Sequence, residues 1–154
     1  MSGSGFSEAE RSALTALLDE IIPRSPDGRL PGAGELGLAA AIDETLRKAP
    51  EGRPALLQGL HRLDELAQAR GAESFAELDR SGRLALMDEL AARDPGFVPG
   101  LLFPTYASYY QSPRVVEALG MEARPPHPKG YEIGPHDPKL LDPVRARGRM
   151  YRDV

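Results

Sequence analysis

Apolar residues return every three or four positions along most of this chain, and each such stretch is cut off by proline or glycine. That period lines up one side of a helix turn after turn, whereas a strand would alternate with a period of two. The first stripe is Leu14, Leu17, Leu18, Ile21 and Ile22. Ahead of it stands Ser7-Glu8-Ala9-Glu10, a capping box in which the serine accepts a backbone N–H and Glu10 reaches back to the cap. Pro23 stops this helix, and three prolines and three glycines between Pro23 and Gly34 make a loop. A second helix, about Glu35 to Lys48, carries Leu36, Ala39, Ala40, Ile42 and Leu46 and ends at Pro50 and Gly52. The third, from Pro54 to Arg70, aligns Leu56, Leu57, Leu60, Leu63, Leu66 and Ala67 before Gly71, a natural left-handed terminator. Phe75 and Leu78 tuck a short turn into the core, and Asp79 caps a fourth helix carrying Leu84, Met87, Leu90 and Ala91.

Asp94-Pro95 starts a fifth helix that runs to Gln111, and Pro99 and Pro104 within it predict a bend or a break. Ser112-Pro113 opens a short last helix that Gly120 ends. Beyond it, residues 121–154 hold six of the fifteen prolines and show little helical period. The expected fold is therefore all-α: a compact bundle of five to six helices over residues 1–120, then a proline-rich, mostly irregular arm over 121–154. The arm is expected to pack on the domain or on a partner. Its last part, from Pro135 to Val154, carries five basic and three acidic side chains, a net +2 against −6 for the rest of the chain.

Charge and composition narrow the function. A net charge of −4 gives no basic face for nucleic acid. The absence of cysteine removes thiol nucleophiles, thiolate-bound zinc and disulfides together. No run of about 18 apolar residues is present, so no membrane span is expected. Met1-Ser-Gly-Ser-Gly5 has neither the basic region nor the apolar stretch of a leader. A cytoplasmic protein is expected on that ground, or a periplasmic one if it is exported with a partner or a leader is missing.

Residue patterns that carry chemistry are sparse in this chain. His61, His127 and His136 lack the spacing of a zinc or iron site, although a stand-alone enzyme using His127, His136 and Asp137 is one alternative. The acidic pairs Asp19-Glu20, Asp43-Glu44, Asp64-Glu65 and Asp88-Glu89 read as solvated helix faces. Pro31-Gly32-Ala33-Gly34 lacks the third glycine, the lysine and the preceding strand of a phosphate loop and reads as a turn. Tyr106, Tyr109 and Tyr110 share one helical stripe, and a ring with a polar tip suits a core edge or a protein interface equally.

Three segments together resemble the gluconate 2-dehydrogenase subunit 3 family. They are Ile21-Ile22-Pro23 with Leu30-Pro31-Gly32-Ala33 and Ile42-Asp43; Phe75 with Leu78-Asp79 and Arg83-Leu84; and Thr105, Tyr109-Tyr110, Leu119-Gly120, Pro128 and Gly130-Tyr131. The resemblance spans about residues 7 to 131. It implies a non-catalytic accessory subunit with no cofactor, metal or catalytic residue of its own. The implied partner is an FAD-dependent dehydrogenase large subunit of the glucose–methanol–choline (GMC) type, acting on a sugar or polyol, with a cytochrome c often taking the electrons. Family members often carry a twin-arginine leader, which this sequence does not show. The expected partner contacts are Tyr106, Tyr109, Tyr110 and Tyr131, with Arg145, Arg147 and Arg149 on the basic arm. A self-associating helical scaffold is the other alternative.

Overall fold

A computed structural model describes residues 5–123, 134 and 137–147. The chain divides into two units, one up to Ala123 and one from Arg124 onward, and each is described by itself. The first consists of helices α1 (Glu8–Ile21), α2 (Leu38–Lys48), α3 (Arg53–Ala69), α4 (Arg80–Arg93), α5 (Phe97–Gln111) and α6 (Pro113–Ala118). No strand occurs among the described residues, so the all-α expectation holds.

Helix α1 touches α2, α3, α4 and α5 and forms the centre of this unit. Its capping box is formed at both ends, Ser7 Oγ accepting from Glu10 N–H at 3.2 Å and Glu10 Oε2 accepting from Ser7 N–H at 2.7 Å. Ala13, Leu14, Leu17 and Leu18 are buried against a core that includes Leu60, Leu63, Phe75 and Leu86. Burial works to raise the pKa of Glu10, but the hydrogen bonds with Ser7 and the nearby His61 outweigh it and hold the carboxyl below its ordinary value. The side chain of Glu20, 2% exposed, pairs with Arg83 at 2.7 Å and ties α1 to α4. Glycine is obligatory at one helix crossing. A Cβ on Gly59 of α3 would fall within the ring of Phe97 on α5.

Four details differ from the periodicity. Helix α2 begins at Leu38 rather than Glu35, because Gly37 adopts a left-handed φ of 67° that no continuous helix includes. Ala40 points outward, as do Leu84 and Ala91 on α4, which instead buries Leu86 and Leu90. Helix α5 is one continuous helix rather than a broken one. Pro99 lies in its first turn, where an N–H has no helical partner to lose, and Pro104 is carried inside the helix.

The loop from Pro23 to Gly34 is fastened on two sides. Gly34 N–H donates to Asp19 Oδ1 at 2.8 Å, Ala33 N–H to the Ile22 carbonyl at 2.9 Å, and the Tyr109 hydroxyl to the Pro31 carbonyl at 2.8 Å. A Cβ on Gly32 or Gly34 would collide with the Asp19 carboxylate, so α1 and this turn meet backbone to side chain with no room between. Burial raises the pKa of Asp19 above its ordinary value, partly offset by the Gly34 and Glu35 amides.

The second unit contains a 3₁₀ turn, Pro138–Leu141, and a short helix α7, Asp142–Arg145. Asp137 caps the turn by accepting from Lys139 N–H at 3.0 Å. Arg145 lies 3.3 Å from Asp142 across one turn of α7.

Candidate partner-binding face

Helix α5, Phe-Val-Pro-Gly-Leu-Leu-Phe-Pro-Thr-Tyr-Ala-Ser-Tyr-Tyr-Gln, has no charged residue in its 15 positions. A helix without charge and largely apolar around its circumference is expected to be mostly buried. This one is not. Phe97, Leu101, Thr105 and Tyr109, four residues apart in succession, are buried. The Thr105 hydroxyl donates to the Leu101 carbonyl at 2.6 Å, and the Tyr109 hydroxyl reaches Pro31, so both buried hydroxyls are satisfied. Burial, with Tyr110 and Glu35 nearby, raises the pKa of Tyr109.

The opposite side is open to solvent. Phe103 is 82% exposed, Tyr106 43% and Tyr110 54%, with Leu102 beside them. These residues recur at helical spacing and form one ridge. The rings of Tyr106 and Tyr110 stack at 6.3 Å with 13° between their planes, and Tyr109 meets Tyr110 edge-on at 5.2 Å. Tyr110 thus joins the buried tyrosine to the exposed ridge. Two depressions flank α5. One, of about 310 Å³, opens among α2, α3 and α5 between Ile42, Leu46, Leu56 and Leu101, and among the described residues Asp94 is the single charged one in its lining. The other, about 480 Å³, runs between α2 and α5 past Leu38, Ala41, Phe103 and Ala107 and has no charged lining residue among those described. Thr45 and Pro104 line both, so the two adjoin.

Of the tyrosines expected to face a partner, Tyr106 and Tyr110 are exposed. Tyr109 is corrected: at 1% exposure with its hydroxyl committed to Pro31, it is a core residue. The three side chains span enough of the helix circumference to straddle the line between core and solvent. Tyr131 and Arg149 lie outside the described residues, as do His127 and His136. Arg145 and Arg147 are exposed in the second unit. Phe103, the most exposed apolar side chain named above, carries no sequence signal because nothing charged on α5 marks an outside. No group of three or more His, Cys, Asp or Glu able to hold a metal occurs among the described residues. His61 pairs with Glu10 at 3.3 Å on the surface. No helix among the described residues is long and apolar enough to cross a membrane.

The first unit is thus a helical body that carries an exposed aromatic ridge on α5. The family model for gluconate 2-dehydrogenase subunit 3 matches residues 8–122, and the chain belongs to that family. Searches of curated proteins and of solved structures found no match.

Proposed function

We propose that this chain is the non-catalytic small subunit of an FAD-dependent dehydrogenase complex. Its partner is a GMC-type large subunit that oxidises a sugar or polyol and passes electrons to an acceptor such as a cytochrome c. Family membership supports the complex, and the outer ridge of α5 supports the mode of assembly. The observation that carries the reading is the exposure of Phe103, Tyr106 and Tyr110 on a helix without charge. Aromatic residues are enriched, and lysine and glutamate depleted, at the centres of protein interfaces. Helices that rest on lipid pair their apolar face with lysine and arginine, and α5 has neither. Burying Phe103 completely would contribute about 2 kcal/mol. The chain carries no flavin; the cofactor belongs to the large subunit, and the small subunit covers apolar surface that the large one would otherwise expose. The two chains meet in the cytoplasm, or leave it together if the complex is exported.

Co-expression with a GMC-type large subunit from the same genome, followed by capture through a tag on this chain, tests the reading. The expected product is a stoichiometric complex with flavin absorbance, lost in a Phe103→Ser, Tyr106→Ser variant that melts like the parent. A colourless chain whose mass rises with its own concentration would support a self-associating scaffold instead.

A further inference from the structure

Two glycines inside helices show opposite reasons for being there. Gly59 is compelled by its neighbour, since the Phe97 ring occupies the space of a side chain. Gly100 on α5 is compelled by no described residue of this unit. A Cβ on it would meet no atom of a described residue within 4 Å, and it is not among the described glycines of positive φ. Glycine within a helix is destabilising relative to alanine because it loses more backbone freedom on folding. The empty space over Gly100 is part of the cleft of about 310 Å³, whose lining also includes Gly52, Ala55 and Gly96. Pro104, four residues on, has no N–H to give the Gly100 carbonyl its usual helical partner. The cleft therefore combines small-residue walls, aliphatic side chains, a carbonyl lacking its usual helical donor and one carboxylate. Asp94 forms no salt bridge with a described residue; its side chain accepts from Gly96 N–H at 3.2 Å.

We propose that this cleft is a socket for an aliphatic side chain tipped by a positive charge, a lysine or arginine on an otherwise uncharged apolar segment of the protein partner. This rests on the small-subunit reading above and names the chemistry of the partner surface. Long basic side chains bury their methylene stems along apolar walls and keep the charged end on a polar group, here Asp94. The uncharged groove that adjoins the cleft at Thr45 and Pro104 takes the apolar residues of the same segment. Gly100 keeps the socket open.

The socket is tested on the full chain with n-octylammonium as the probe and octanoate as its charge-reversed control, followed by backbone amide NMR. Octylammonium should shift Gly52, Gly96 and Gly100 saturably, and octanoate should not. Asp94→Asn should weaken binding about fivefold, as expected for a partly exposed ion pair. Gly100→Leu should abolish the response, and Gly100→Ala should raise the melting temperature by roughly 2–4 °C. A fall in melting temperature for Gly100→Ala would mean that the fold itself needs the glycine, and would overturn the proposal. Equal shifts with octanoate, or shifts spread over the whole surface, would overturn it as well. In the flavoprotein complex, Gly100→Leu should lower affinity at least tenfold. A complex that forms with unchanged affinity would remove the socket and leave the small-subunit reading standing, whereas failure of the parent chain to form any complex would remove that reading. A chain that dimerises through this face, with dimerisation lost in Gly100→Leu, would assign the socket to a second copy and contradict the proposal.

Discussion

The two sides of α5 are made of the same kinds of residue and serve different ends. On the inner side, Tyr109 is enclosed and its hydroxyl holds the Pro31 carbonyl at 2.8 Å. On the outer side, one residue further along the chain, Tyr110 is exposed and stacks on Tyr106. The inner tyrosine fastens the loop that α1 also grips through Asp19 and Gly34. Among the described residues the outer ones complete no hydrogen bond; they stack on each other, and Tyr110 meets Tyr109 edge-on. The contrast teaches that residue type alone does not separate scaffold from interface; the hydrogen bonds that each side chain completes do so.

That contrast can be broken by substitution. Tyr109→Ala removes a buried ring and leaves a cavity, and is expected to cost about 3–5 kcal/mol of folding stability, read by denaturant unfolding. The outer pair Phe103→Ser, Tyr106→Ser is expected to weaken association with the large subunit about a hundredfold, measured by titration calorimetry. Its unfolding free energy should stay within about 0.5 kcal/mol of the parent. Tyr109→Phe keeps the ring and removes only the hydroxyl, leaving a buried carbonyl without its donor; it should cost about 1–2 kcal/mol of stability and leave association unchanged. If Tyr109→Phe instead weakened association as much as the outer pair, the division between the two sides would fail.

The smallest expected effect concerns the other anchor of the loop. Burial raises the folded-state pKa of Asp19, so the folded chain binds a proton more readily than the unfolded one. The stability linked to Asp19 is therefore fully present below its ordinary unfolded pKa and is lost as pH rises through the raised folded value. Asp19→Asn can still accept from Gly34 and should flatten this part of the stability–pH curve. Unfolding curves across the acid range, compared with the parent, check it.

Much of the scaffold was legible in the sequence. Ser7 and Glu10, Asp79, and the leucine stripes of α1 and α3 encode their helices through local rules of capping and period, and the structure follows them. The residues that carry the family resemblance also prove architectural: Pro31 accepts from Tyr109, Arg83 pairs with Glu20, and Asp79 caps α4. The face of α4 was harder to place, since Leu84 and Leu86 are both leucine and only the packing of α4 on α1 and α3 decides between them. The outer ridge was half legible. Tyr106 and Tyr110 fall on the predicted stripe, but Phe103 and the socket at Gly100 depend on which side of a charge-free helix faces solvent, and periodicity carries no such signal there.

The division between the two sides of α5 is tested most directly by hydroxyl-radical footprinting of the chain alone and in complex with the flavoprotein subunit. Phe103, Tyr106 and Tyr110 should be strongly oxidised in the free chain and all three protected in the complex, with little oxidation of Tyr109 in either. A complex in which Phe103, Tyr106 and Tyr110 remain as reactive as in the free chain would contradict that division.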